Sequence, residues 1–154
     1  MKTIAAATII MLTASAALAR IGESPDECRA RYGEPVDSKP GSAIYVKNGL
    51  IICVEFHAGK ADLLIFVKEK TDILGTSEAL SETEVSTLLK ANGGGQEWKR
   101  LDAENLHQEW ETENGQIRAR RDTLKNQLMV ATRSCLDRKA KEAAEAEKSN
   151  LGGF

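Results

Sequence analysis

The chain has 154 residues, of which 42% are apolar and 29% charged. Those fractions belong to a soluble globule and exclude wholesale disorder and a bundle of membrane helices. The formal net charge of −2 lacks the basic excess of a dedicated nucleic-acid binder.

Met1–Ala19 reads as a secretory leader. Lys2 is a short positive start, Ile4–Leu12 is the apolar stretch, and Ala17-Leu18-Ala19 fits the small-x-small cleavage rule. A membrane-spanning helix needs about 20 apolar residues, more than this run supplies. Cleavage is expected after Ala19. Arg20 follows the cut where a lipoprotein would need cysteine, so the expected destination is the periplasm, the cell surface or the medium, without a lipid anchor. Later apolar runs, Leu50–Val54 and Leu63–Val67, are strand-sized, so no span is expected after cleavage.

Ser24-Pro25-Asp26-Glu27 opens the first helix. Ser24 caps, Pro25 suits the first helical position, and Glu27 completes a capping box. Tyr32-Gly33 ends the helix and Pro35 blocks its continuation. Residues 36–41, with Pro40-Gly41, read as a loop. A three-stranded meander follows over Ala43–Lys47, Leu50–His57 and Ala61–Glu69. Its turns are Asn48-Gly49, a strong hairpin signal, and Ala58-Gly59-Lys60. Strand alternation puts Leu50, Ile52, Val54 and Phe56 on the core face. Ile51, Cys53, Glu55 and His57 fall on the other.

After a linker over residues 70–80, Ser81 and Glu84 form a second capping box. The helix runs to about Ala91, with Val85, Leu88 and Leu89 as its apolar stripe. Asn92-Gly93-Gly94-Gly95 stops it. Trp98 leads into a polar stretch reaching about Asn105. Strands are predicted over His107–Glu113, Ile117–Arg121 and Gln127–Thr132, the first two joined by Asn114-Gly115. Arg133–Lys148 reads as a polar helix with i,i+4 pairs such as Asp137–Lys141, fraying into a tail over Asn150–Phe154. The expected fold is therefore α+β. Two α-β-β-β units, residues 21–69 and 81–132, form one domain over 20–132 with helices on one face of an antiparallel sheet. The polar helix and tail of residues 133–154 lie outside it. The shared plan of the halves is an architectural repeat.

Three cysteines remain after the leader: Cys28, Cys53 and Cys135. Export permits disulfides. Cys28 on the first helix and Cys53 on the central strand are the candidate pair. The alternative is that all three are small buried apolar residues.

Catalytic and metal groupings are not legible. His57 and His107 lack metal partners at matching spacing, and there is no Gly-x-Ser-x-Gly elbow. The glycines at 93–95 follow a helix instead of preceding one, the reverse of a phosphate loop. Arg118, Arg120, Arg121 and Lys125 make a basic stripe, with Glu109, Glu111 and Glu113 expected to balance it from the neighbouring strand. Trp98 and Trp110 are candidates either for core anchors or for interface residues.

Ile21-Gly22-Glu23-Ser24, the helix ending Arg31-Tyr32-Gly33-Glu34-Pro35, and the segment Val54-Glu55-Phe56-His57-Ala58-Gly59-Lys60-Ala61 carry a family pattern. Over about residues 21–69 the chain resembles small exported bacterial proteins of the BamE-like and beta-lactamase-inhibitor-like fold group. Leu88–Trp98 also resembles uncharacterised exported proteins of environmental bacteria. The resemblance implies helices on one face of an antiparallel sheet. Members of the group scaffold outer-membrane assembly, inhibit enzymes, or have no known role. This chain departs from BamE in lacking its lipid-anchoring cysteine.

The expected function is a non-enzymatic protein-interaction module of the cell envelope, without cofactor or metal. Its partner would be another envelope or secreted protein, not nucleic acid. Tyr45, Trp98, Trp110, Arg118 and Arg120 are the candidate interaction residues. The alternative is an envelope protein that binds a ligand or an anionic polymer through the arginine stripe.

Overall fold

The computed structural model describes residues 20–70, 75, 77–101 and 107–151. The leader Met1–Ala19 lies outside the described residues. Three helices and eight strands follow in the order α1 (Pro25–Tyr32), β1 (Asp37–Lys39), β2 (Ser42–Lys47), β3 (Leu50–His57), β4 (Lys60–Lys68), α2 (Glu82–Asn92), β5 (Trp98–Leu101), β6 (His107–Thr112), β7 (Ile117–Asp122), β8 (Gln127–Thr132) and α3 (Arg133–Leu151). The class is α+β. All eight strands form one antiparallel sheet, ordered β1-β2-β3-β4-β8-β7-β6-β5.

The local signals act as their chemistry requires. Ser24 and Ser81 each accept a hydrogen bond from the backbone of a glutamate three residues on, Glu27 and Glu84, whose carboxylate reaches back to the serine N–H. Both capping boxes therefore satisfy otherwise orphaned helix donors. At Asn48-Gly49 both φ angles are positive, 52° and 75°, the conformation a two-residue hairpin of matching twist demands.

Each half carries four strands, not three. β1 lies where a loop was expected, and β5 lies inside the expected polar stretch. Asp-Ser-Lys and Trp-Lys-Arg-Leu show no sustained apolar alternation. They are strands because each adds to the edge of an existing ladder, β1 on β2 and β5 on β6. The halves join at the sheet centre, where β4 pairs with β8 from Leu63↔Ala131 to Val67↔Gln127.

The main core lies on one face. A cross-strand row runs Ala43, Val54, Leu64, Val130, Ala119 and Trp110. A second runs Tyr45, Ile52, Phe66 and Leu128. Cys28 and Tyr32 of α1 and Val85, Leu88 and Leu89 of α2 pack onto these rows. Leu64, Phe66 and Leu128 are fully buried, each contributing about 2 kcal/mol by transfer from water.

The helices of the two units, α1 and α2, share one face as expected, and the third helix takes the other. It starts directly after β8, with Thr132 Oγ1 accepting from the Cys135 N–H as a cap, and packs on the opposite face. Cys135 and Leu136 meet Leu63, Ala131, Ile65 and Met129 there. It also extends to Leu151, into the expected tail. No helix among the described residues is long and apolar enough to cross a membrane.

Candidate functional site

The face opposite α1 and α2 is the open side of the sheet. One cross-strand row on it reads Ile44, Cys53, Ile65, Met129, Arg120, Glu109 and Leu101. A neighbouring row reads Val46, Ile51, Val67, Gln127, Asp122 and His107. The first turns charged between Met129 of β8 and Arg120 of β7, and the second turns polar at the β4–β8 junction, between Val67 and Gln127. The apolar half is partly solvent-accessible: Val46 is 36% exposed, while Ile44, Ile51, Cys53 and Val67 are half-buried.

α3 covers one end of this face. A β-bulge prepares its seat: Glu55 pairs with Leu63 and Phe56 with Ala61, leaving Asp62 as the extra residue. Asp62 accepts from Thr132 Oγ1 and from Arg138, the latter at 2.6 Å. Burial alone would raise the Asp62 carboxyl, but the bonds from Thr132 and Arg138 outweigh it and hold the group below the usual aspartate range. Lys139 reaches Glu55 at 2.7 Å. Beyond Lys139 the described side chains of α3 are exposed up to Ser149.

The charged half is internally paired. Arg118 Nε donates to Glu111 at 2.5 Å, and Arg120 faces Glu109 at 3.8 Å. Arg133 joins Glu111 at 3.4 Å. Arg121 points to the other face and ties α2 to the sheet through Glu82 and the Leu80 carbonyl. The stripe of arginines is thus divided between two faces, while Lys125 sits exposed in the β7–β8 turn.

The aromatic candidates are not on the open face. Tyr45 is only 2% exposed, with its ring 5.2 Å from that of Tyr32. Its strand position turns it under α1, which corrects the expectation of a surface anchor. Trp98 and Trp110 are half-buried on the same helix-covered side. Trp98 Nε1 donates to the Leu89 carbonyl at 2.6 Å.

All three cysteines are free thiols. The Cys28–Cys53 bond is not formed, because Cys28 faces the main core from α1 while Cys53 lies on the open face. Burial, then the nearby Glu23 carboxylate, pushes the Cys28 thiol up to about 12. Such a thiol is a poor nucleophile at neutral pH. His57 is exposed at the end of β3, and His107 is half-buried with Nδ1 lacking a partner. Among the described residues, no three His, Cys, Asp or Glu side chains are grouped to hold a metal ion.

Sequence reasoning missed two structural ties. Glu23, 9% exposed, is clasped by Arg31 through Nε and a terminal nitrogen at 2.5–3.0 Å. Asn92, read only as a helix stop, is buried, accepts from the Ile21 N–H and donates to the Leu88 carbonyl. The capping-box spacing points to Glu27 and leaves Glu23 unmarked, and nothing near Asn92 marks a contact 71 residues back.

Fold and site together define an α+β protein with one sheet face sealed by two helices and the other mostly open. No family model and no curated protein matches the chain. Among solved structures, a cysteine-rich secretory protein from Staphylococcus aureus subsp. aureus Mu50 aligns with a TM-score of 0.42 at 9% identity, over 75% of this chain and 46% of its own. The chain therefore spans less than half the length of that protein. A DUF4309 family protein from Bacillus subtilis subsp. subtilis str. 168 aligns with a TM-score of 0.38 at 12% identity, over 71% of this chain and 78% of its own.

Proposed function

We propose that the chain is an exported, non-enzymatic interaction module of the bacterial cell envelope, and that the open sheet face receives a protein partner. The observation that carries this reading is the apolar half of that face. Val46, Ile51 and Val67 are cross-strand partners, Cys53 adjoins them in the next row with Ile44 and Ile65, and α3 packs over the neighbouring Leu63 and Ala131 instead. Contiguous exposed apolar surface with a polar border is the usual mark of a protein contact. The paired charges of Arg118, Glu111, Arg120 and Glu109 supply that border. Export rests on the Met1–Ala19 leader, and the likeness of residues 21–69 to the BamE-like and beta-lactamase-inhibitor-like group is consistent with a binding role. Anionic-polymer binding by the arginine stripe has less support, because those guanidiniums already face carboxylates.

The test is cross-linking of tagged chain in the envelope, read by mass spectrometry. Ile51→Lys and Val46→Lys are expected to abolish capture of a stoichiometric partner. Val36→Lys, on a loop residue 65% exposed, is expected to keep it. Capture indifferent to the two face substitutions, or no partner for the unaltered chain, overturns the proposal.

A further inference from the structure

A second surface lies on the opposite side, where α2 ends against β5 and β6. A groove of about 620 Å³ opens there between Lys90 of α2, the glycine turn, and Trp98, Arg100 and Trp110 of the two edge strands. Its volume is in the range of small-molecule sites.

The sequence builds this groove in a specific way. Trp98 and Arg100 are two residues apart on β5 and so share a face. Arg100 is directly opposite Trp110 in the ladder, which places the guanidinium beside an indole. The Trp98 ring is held in place by its bond to the Leu89 carbonyl. Gly93 makes this approach feasible: a Cβ there would lie 2.8 Å from Trp98 Nε1 and 2.8 Å from the Gln96 carbonyl oxygen. The lining holds two cations, Lys90 and Arg100, and one carboxylate, Glu97. Both cations are exposed, and among the described residues neither has an ion pair.

We infer that this groove binds a small aromatic carboxylate, with its planar ring against the indoles and its acidic group between Arg100 and Lys90. Indole faces favour stacked or edge-on aromatic rings. A guanidinium recognises a carboxylate through charge-assisted bonds. The site is independent of the open sheet face, so either can fail without the other.

The two tryptophans are the only ones in the chain, so their indole N–H resonances report on the groove alone. The experiment is a titration of the 15N-labelled chain with 2-naphthoate. A neutral isostere, 2-naphthylmethanol, and the variants Arg100→Ala and Lys90→Ala complete it. Saturable shifts of the Trp110 indole N–H are expected. Binding is expected to weaken about tenfold with the alcohol or with Arg100→Ala, the loss of one charge-assisted contact, and less with Lys90→Ala. Since both cations are exposed, the remaining amide spectrum should be unchanged, which separates lost binding from lost folding. An absence of saturable shifts, equal affinity for the alcohol, or affinity unchanged in Arg100→Ala overturns the inference.

Discussion

Asp62 and Arg138 stand 76 residues apart in the chain and meet at 2.6 Å across the end of the sheet. One is the extra residue of a bulge in β4 and the other lies in the second turn of α3. Bulges commonly re-aim a side chain, and here the re-aimed carboxylate also accepts from Thr132. The contact fastens a helix whose apolar footing is confined to Cys135 and Leu136.

Docking of α3 should therefore depend on acid. The folded Asp62 titrates below its ordinary value of 3.8. A depressed carboxylate contributes stability that is fully present above the unfolded value and is lost as pH falls through the folded one. Protection of the α3 amides, taken against the intrinsic exchange rate at each pH, is expected to be flat from pH 7 to about 5 and to fall below about pH 4. Asp62→Asn should show weakened protection of α3 at pH 7 and no acid step, with β3, β4 and β8 protected as before. An acid step that persists in Asp62→Asn would assign it to another group.

The continuous sheet predicts that both halves unfold together. Phe66 lies at the junction, opposite Ile52 on one side and Leu128 on the other, and is fully buried. Phe66→Ala should cost about 3–5 kcal/mol and shift a single urea transition without splitting it. Separate transitions for residues 21–69 and 81–132 would refute a shared core.

Gly93 has helical dihedrals, φ −74° and ψ −7°, so alanine should suit its backbone, by about 1 kcal/mol in a helix interior. The close approach of Trp98 reverses that expectation. Gly93→Ala should destabilise by about 1–3 kcal/mol through overpacking and red-shift tryptophan emission as Trp98 leaves the Leu89 carbonyl. Stabilisation with unchanged emission would refute the steric account.

Thiol chemistry should follow burial. Cys53 is half-buried on the open face, while Cys28 and Cys135 are fully buried. Native-state alkylation at pH 8, mapped by peptide mass spectrometry, is expected to modify Cys53 first. Cys28, raised to about 12, should react at least about a hundredfold more slowly until the chain is unfolded. Equal rates would mean that α1 does not seal its side of the sheet.

Much of the architecture is legible from short-range chemistry. The strand Leu50–His57 and the strand Gln127–Thr132 fall where alternation places them. Ser24 with Glu27 and Ser81 with Glu84 mark both helix starts. The candidate groove is half legible, since Trp98 and Trp110 attract notice as large aromatics, whereas Arg100 and Lys90 look like ordinary surface charges. Only the ladder Arg100↔Trp110 and the close approach at Gly93 bring them together.

Caps, hairpin turns and strand alternation were determined by the sequence itself, because each rests on hydrogen bonds and side-chain directions within a few residues. The joining of β4 to β8, the edge pairing of β1 and β5, the burial of Tyr45 and the side taken by α3 were decided only in the tertiary structure. Those features depend on pairings such as Leu64↔Val130 and Asp62 with Arg138, which no local pattern encodes. A strand's alternation divides its residues between two faces, but which face is sealed depends on what the rest of the chain brings to cover it.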